Sequence, residues 1–143
     1  MKLSTRSRYG VRLMIELALH YRQGALQLTN VAERESISLK YLGQIVIQLK
    51  NNNLIKSVRG AQGGYLLARA PEKITLREIV EVLEGDLNIV DCVETNDCSY
   101  KENCVTNEIW KQLSDLIKKT LEKITLAELA KKKNNNFALN YVI

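Results

Sequence analysis

Cys92, Cys98 and Cys104 are the only cysteines in the 143-residue chain, and each stands six residues from the next in a polar, acidic stretch. A lone thiol is most often a small buried hydrophobe. Three thiols confined to one turn-rich stretch suit a joint role. Thiolates at short spacing hold zinc or an iron–sulfur centre, and neighbouring thiols can be oxidised together. The odd count argues against a structural disulfide framework.

A second set of residues suits a polyanion. Lys40, Tyr41 and Gln44 share a face left over by an apolar stripe. Gln can pair bidentately with adenine, while Lys and Tyr reach phosphate or base edges. Ser57, Arg59, Gly60 and Gln62, with Lys56 beside them, surround the glycine-rich run Arg59-Gly60-Ala61-Gln62-Gly63-Gly64. Such a turn can enter a minor groove, where arginine senses width as well as charge. Arg6, Arg8 and Arg12 are candidates for phosphate contacts, which position without specifying. The glycine-rich run lacks the Gly-Lys-Ser/Thr ending and following helix of a nucleotide cradle. Charge supports the same reading. Residues 1–69 hold 11 Lys and Arg against 3 acidic residues, and residues 70–143 hold 10 against 13. A basic half joined to an acidic half suits a nucleic-acid reader coupled to something else.

Enzymatic classes find no support. There is no Ser-His-Asp set, no Cys-His pair in register and no recognisable carboxylate pair. The single histidine, His20, reads as a surface or capping residue at the end of a helix. No apolar run reaches membrane length and the first residues lack a signal peptide's pattern, so a soluble, cytoplasmic protein with no membrane partner is expected.

The elements that must position these residues follow from periodicity and caps. Apolar spacing predicts a helix from Ser7 to Tyr21, closed by Gly24. Thr29 is the expected N-cap of a short helix over Asn30 to Glu35. After the turn Ser36-Ile37-Ser38, Ser38 caps a reading helix to about Lys50, with Ile37 and Leu42 as a hydrophobic staple. That helix is expected to bury Leu39, Leu42, Ile45, Val46 and Leu49. Gly43 in its middle costs about 1 kcal/mol relative to Ala, which close approach to DNA would justify and so would drift. Residues 54–58 and 65–68 read as a β-hairpin.

Thr75 and Glu78 form a capping box for a helix through Leu83, stopped by Gly85. A cysteine-bearing loop follows. A long amphipathic helix over Val105 to Ile124 would then pack on its twin across a dimer axis, or else cover its own core. A second box, Thr125 and Glu128, opens a short helix to about Lys131. The tail is expected to be mobile, although its apolar end, 137–143, could dock. The expected fold is mainly α with a small β-hairpin wing. A winged helix-turn-helix over 1–70 is joined, in one compact unit, to a sensor loop and dimerisation helices over 71–131, with a tail over 132–143.

Three segments carry a resemblance: Met-Lys-Leu-Ser-Thr-Arg-Ser-Arg-Tyr-Gly at the start, Ile-Ser-Leu-Lys-Tyr-Leu-Gly-Gln from Ile37, and Val-Arg-Gly-Ala-Gln-Gly-Gly-Tyr-Leu-Leu from Val58. They resemble the Rrf2 family of bacterial transcription regulators from Met1 to roughly Lys131. The resemblance implies a homodimer, each subunit placing a reading helix and wing on one half-site of a partly palindromic double-stranded DNA operator. It also implies a 2Fe–2S cluster on Cys92, Cys98 and Cys104, and control of iron–sulfur or cysteine metabolism genes. The chain departs from the family pattern in two ways. The family's fourth ligand, a histidine, falls on Asn107; Glu108 is the nearest ionisable substitute, with Asp97 and Glu102 weaker candidates. The acidic residue that iron–sulfur members often present in the reading helix is replaced by Gly43. The alternative is the same DNA-binding regulator without a cluster, sensing by thiol oxidation, zinc or a partner protein.

Overall fold

The computed structural model describes residues 2–95 and 98–140. Helix α1 spans Thr5–Leu19 and starts where Ser4 caps it, its Oγ accepting the Ser7 N–H at 3.1 Å. The cap, not the first apolar residue, sets this start, two residues before the expected one. The helix also ends sooner, at His20, and the chain turns through Arg22 (φ 65°) before it reaches Gly24. Helix α2, Leu28–Glu35, starts after Gln27 with no side-chain cap, so Thr29 lies in its first turn and is not the N-cap. Tertiary contact decides that entry: Leu26 and Tyr65 exchange both backbone hydrogen bonds, at 3.0 and 2.9 Å.

Ser36 ends α2 in the left-handed region (φ 54°), and Ser38 caps α3, Leu39–Asn51, by accepting the Tyr41 N–H. Ile37 and Leu42 are both buried, as a staple requires. Leu39 is not buried; it is 48% exposed. At 100° per residue it falls about 70° from the centre of the stripe formed by Leu42, Ile45, Val46 and Leu49.

Strands β1 (Ile55–Val58) and β2 (Gly64–Leu67) pair antiparallel, Ile55 opposite Leu67 and Val58 opposite Gly64. Gly64 has φ 152°, and a Cβ there would lie 2.4 Å from the Leu26 carbonyl oxygen. Glycine thus lets the wing's base lie against the entry to α2.

The Thr75–Glu78 capping box is complete, and α4 runs Leu76–Glu84 to Gly85. Helix α5 is Asn107–Glu122; Val105, expected inside it, precedes it and is 88% exposed. The second box also forms, with Glu128 N–H donating to Thr125 Oγ1 at 3.2 Å and Thr125 N–H to Glu128 Oε2 at 3.3 Å. The two boxes meet: Leu76 N–H donates to the Ile124 carbonyl and Leu126 N–H to the Ile74 carbonyl, both at 2.8 Å. Helix α6 then runs Leu126–Asn140, well past Lys131. The segment from 132 to 140, expected as a mobile tail, is helical, and Lys133 anchors it to Glu16 of α1 and Glu35 of α2.

The core draws on every helix except α5: Leu13, Met14 and Leu17 from α1, Val31 from α2, Leu42, Ile45 and Leu49 from α3, Ile79 and Leu83 from α4, and Leu126 from α6. Helices α1 and α4 cross at Gly10, where a Cβ would come within 2.1 Å of Leu83 Cδ1. No described helix is long and apolar enough to cross a membrane.

Candidate nucleic-acid interface and cysteine loop

Helix α3 turns Leu42, Ile45, Val46 and Leu49 inward, which leaves Lys40 and Gln44 exposed on its outer face. Tyr41 is half-buried, its ring edge-on to Tyr9 with centroids 5.8 Å apart, so it both presents a hydroxyl and braces α3 on α1. A cleft of about 210 Å³ brings Arg6 together with Tyr41, Gln44 and Gln48. Gln48 Oε1 is buried there without a hydrogen-bond partner among the described residues. Ser57, Arg59, Gly60 and Gln62 are all exposed at the wing, and Gly60 takes φ 110° at its turn. Lys40, Lys56 and Arg59 make no ion pair among the described residues.

The other N-terminal arginines go elsewhere. Arg8 donates to Thr5 Oγ1 at 3.1 Å and lines a separate cavity of about 260 Å³ with Leu3, Val11, Leu76, Val80 and Leu121. Arg12 is committed internally: its Nε donates to Glu35 Oε2 at 2.7 Å and its Nη2 to the Glu35 carbonyl. A phosphate contact by Arg12 would break that pair.

Sequence reasoning missed a buried charge cluster behind the reading helices. Lys133 of α6 contacts both Glu16 of α1 and Glu35 of α2, and Arg34 adds a contact to Glu16 at 3.3 Å. Burial raises the Glu35 carboxyl, but hydrogen bonds from Lys133 and Arg12 outweigh it and hold the group below the usual carboxylate range. Burial lowers Lys133, and its bonds to Glu16 and Glu35 more than reverse that. The available signal was Glu16 itself, a carboxylate within the apolar stripe Leu13, Met14 and Leu17. His20 caps α1 as expected, its Nδ1 2.9 Å from the Glu16 carbonyl and its Nε2 accepting from Arg34 at 3.0 Å.

The cysteine loop joins α4 to α5 and is pinned at its start. Ile89 N–H donates to Ser114 Oγ at 3.1 Å, and Lys118 Nζ donates to Asn88 Oδ1 at 2.9 Å. Cys92 lies in a 3₁₀ turn, Asp91–Val93, and Cys104 directly follows another, Lys101–Asn103. All three thiols are free and half-buried. A hydrogen bond with the Thr106 hydroxyl at 3.4 Å, then the Thr106 and Asn107 amides, holds the Cys104 thiol below its ordinary range.

The donor chemistry suits soft metals at three positions, but the geometry does not gather it. Among the described residues no three His, Cys, Asp or Glu side chains stand close enough to share a metal ion. Asn107 places its amide Nδ2 3.4 Å from the Cys92 carbonyl, tying the two ends of the loop together. Glu108 and Glu102 are exposed, and Asp97 lies outside the described residues. As arranged, the described residues of the loop do not form a ligand shell for a cluster.

A helix-turn-helix pair braced on α1, followed by a two-stranded wing, defines a winged-helix DNA-binding regulator. The chain belongs to the Rrf2 family, described as iron-dependent transcriptional regulator, which matches residues 3–132. It is 38% identical to the HTH-type transcriptional regulator IscR of Erwinia tasmaniensis over 90% of this chain and 78% of that one. It is 40% identical to the HTH-type transcriptional regulator CymR of Bacillus subtilis over 91% of this chain and 90% of that one. The structure of that CymR, called the global cysteine regulator of B. subtilis, superposes with TM-score 0.78 over 92% of this chain and 98% of its own. That of IscR from T. potens superposes with TM-score 0.76 at 41% identity, over 93% and 88%. These relatives are transcriptional regulators and not enzymes.

Proposed function

We propose that the chain acts in the cytoplasm as a homodimer on a partly palindromic DNA operator, switched by the thiols of its cysteine loop. The observation that carries the DNA reading is the outer face of α3. Its lysine makes no ion pair among the described residues, its glutamine amide is exposed, and Arg6 faces it across a cleft with room for a phosphate. Lys40, Tyr41 and Gln44 read or hold the major groove. Arg59, Ser57 and Gln62 around Gly60 follow the adjacent minor groove, and Arg6, not Arg8, takes a phosphate beside α3. Gel shifts against salt test this. Binding should weaken steeply with salt, and Lys40→Ala should lower the slope of log K against log salt by about 0.9 for each phosphate that Lys40 neutralises. A slope unchanged in both Lys40→Ala and Arg59→Ala sinks the assignment.

Dimerisation has its own support. Ile109, Leu113 and Leu116 recur along α5 at steps of four and three and are 49%, 41% and 62% exposed. A second copy would cover them and set the distance between the two reading heads.

Two sensing chemistries use the loop. The IscR relatives suggest a 2Fe–2S cluster on Cys92, Cys98 and Cys104. That would require the loop to close around the metal and recruit a fourth donor, Asn107 or Glu108. The lowered Cys104 thiol favours oxidation instead. Its thiolate attacks a peroxide to give a sulfenic acid and releases water. A second cysteine thiol then displaces a second water to close a disulfide. Control of cysteine metabolism, as in the CymR relative, fits this chemistry. Anaerobic reconstitution with iron and sulfide, read by visible absorption, separates the two. A chromophore lost in Cys92→Ala, Cys98→Ala and Cys104→Ala supports the cluster. A colourless protein that loses two hydrogens per subunit on peroxide treatment supports the thiol switch.

A further inference from the structure

Two glycines lie inside helices that carry the fold, and they differ in what they meet. Gly10 is forced: any Cβ there would run into Leu83. At Gly43 a Cβ would meet nothing within 4 Å among the described residues, and the backbone is ordinary helix. No contact among the described residues explains a residue that weakens α3 relative to alanine. Its surroundings are equally out of place. Leu39, one turn before it, is 48% exposed, and Ile47, one turn after it, is 59% exposed. At 100° per residue Ile47 points about 150° away from the centre of the buried stripe, between Gly43 on one side and Lys40 and Gln44 on the other. A scattered surface isoleucine needs no explanation. Here the apolar group crowns the face that carries the reading lysine and glutamine, beside a helical gap.

We infer that Gly43 and Ile47 form a seat for the C5-methyl group of a thymine in the major groove, making Ile47 a specificity-determining residue. The inference rests on α3 being the reading helix. Thymine is the only base that presents a methyl group in the major groove, and small apolar side chains recognise it by contact. Gly43 supplies the depth, because a side chain there would hold the base edge off the helix. Ile47 supplies the wall. Leu39 to Ile47 spans about 12 Å along the axis, comparable with the width of the groove. Gln44, beside the seat, is suited to the adenine of a neighbouring pair, so each half-site should contain an A·T step under the middle of α3. The occupant is DNA rather than a protein because the flanking groups are an exposed lysine and an exposed amide, with Arg6 bordering the same face.

The test uses the full chain and a duplex selected by it from a random-sequence pool. Each thymine of that duplex is replaced in turn by deoxyuridine, which removes the methyl group and nothing else. At one position per half-site the replacement should weaken binding about four-fold, the worth of one buried methyl. In Ile47→Ala that penalty should vanish. Gly43→Ala should melt above the wild type yet bind the thymine duplex less well, and deoxyuridine at the same position should restore its affinity. Failure to enrich any sequence overturns the DNA reading and this inference with it. Enrichment with deoxyuridine silent at every thymine overturns the inference alone, as does a full penalty retained in Ile47→Ala. Equal weakening of Gly43→Ala on both duplexes overturns it as well.

Discussion

Glu16 and Glu35 lie on different helices, both almost wholly buried, and share the ammonium of Lys133. Removing one partner of such a set costs more than the set contributes, because the remaining charges stay desolvated. Lys133→Met should therefore destabilise the fold by about 2 kcal/mol, the carboxylates keeping Arg12 and Arg34, and lower Tm by roughly 6–8 °C. The sign of the pH dependence follows from the same contacts. Glu35 sits below its ordinary value of 4.5 in the folded state, so its contribution is complete above that value and is lost as pH falls below it. Lys133 sits above its ordinary 10.5, so its contribution is complete below that value and is lost as pH rises beyond it. Thermal melts across pH should show a plateau between these limits, with a shallower acid limb in Lys133→Met. At the loop, the bonded thiol of Cys104 should react with iodoacetamide before Cys92 and Cys98 at neutral pH, and Thr106→Val should slow it. Peptide mass spectrometry of partly labelled protein reads the order.

Caps and glycines act at the level of the element. The boxes that open α4 and α6 each satisfy amides of one helix, and the backbone bonds between them join the two helix starts into a single corner. Thr75→Ala should cost about 1 kcal/mol by urea denaturation, through loss of the cap. Glycine substitutions separate internal packing from external contact. Gly10→Ala forces Leu83, itself buried, out of place. About 2 kcal/mol of overpacking set against about 1 kcal/mol of helix gain leaves a net loss near 1 kcal/mol. Gly43→Ala meets no such obstacle and should stabilise by about 1 kcal/mol. Opposite signs in matched denaturation curves would show that only one of these glycines serves the subunit's own packing.

At the scale of the whole molecule, the apolar surface of α5 and the cavity at Leu3, Val11 and Leu121 are what a second subunit would cover. Leu116→Glu places a charge in the middle of that surface and should leave a folded monomer by sedimentation. Operator affinity should fall by a factor of a hundred or more, about the gain that linking two half-site contacts provides. A variant that stays dimeric and binds normally would remove α5 from the interface. The loop that carries the cysteines is continuous with α5, so chemistry at Cys92 or Cys104 acts on the element that would space the two reading heads.

Much of this was legible in short-range pattern. Ser38, Thr75 with Glu78, and Thr125 with Glu128 lie within one helical turn of the amides they satisfy, so residue type and spacing alone determined those helix starts. The order of elements likewise defined a winged helix-turn-helix, and the clustered cysteines marked the loop. Decisions that rest on distant partners were not legible. Lys133 and Glu16 are 117 positions apart, yet their contact anchors the continuation of α6 beyond Lys131, where a mobile tail was expected. Leu26 meets Tyr65 and thereby moves the start of α2 away from Thr29. The outward turn of Leu39 and Ile47 follows from 100° per residue, but the open space at Gly43 depends on what lies beside the helix, which periodicity does not encode. Spacing likewise placed three thiols on one loop, but only the path of that loop decides whether their sulfurs meet.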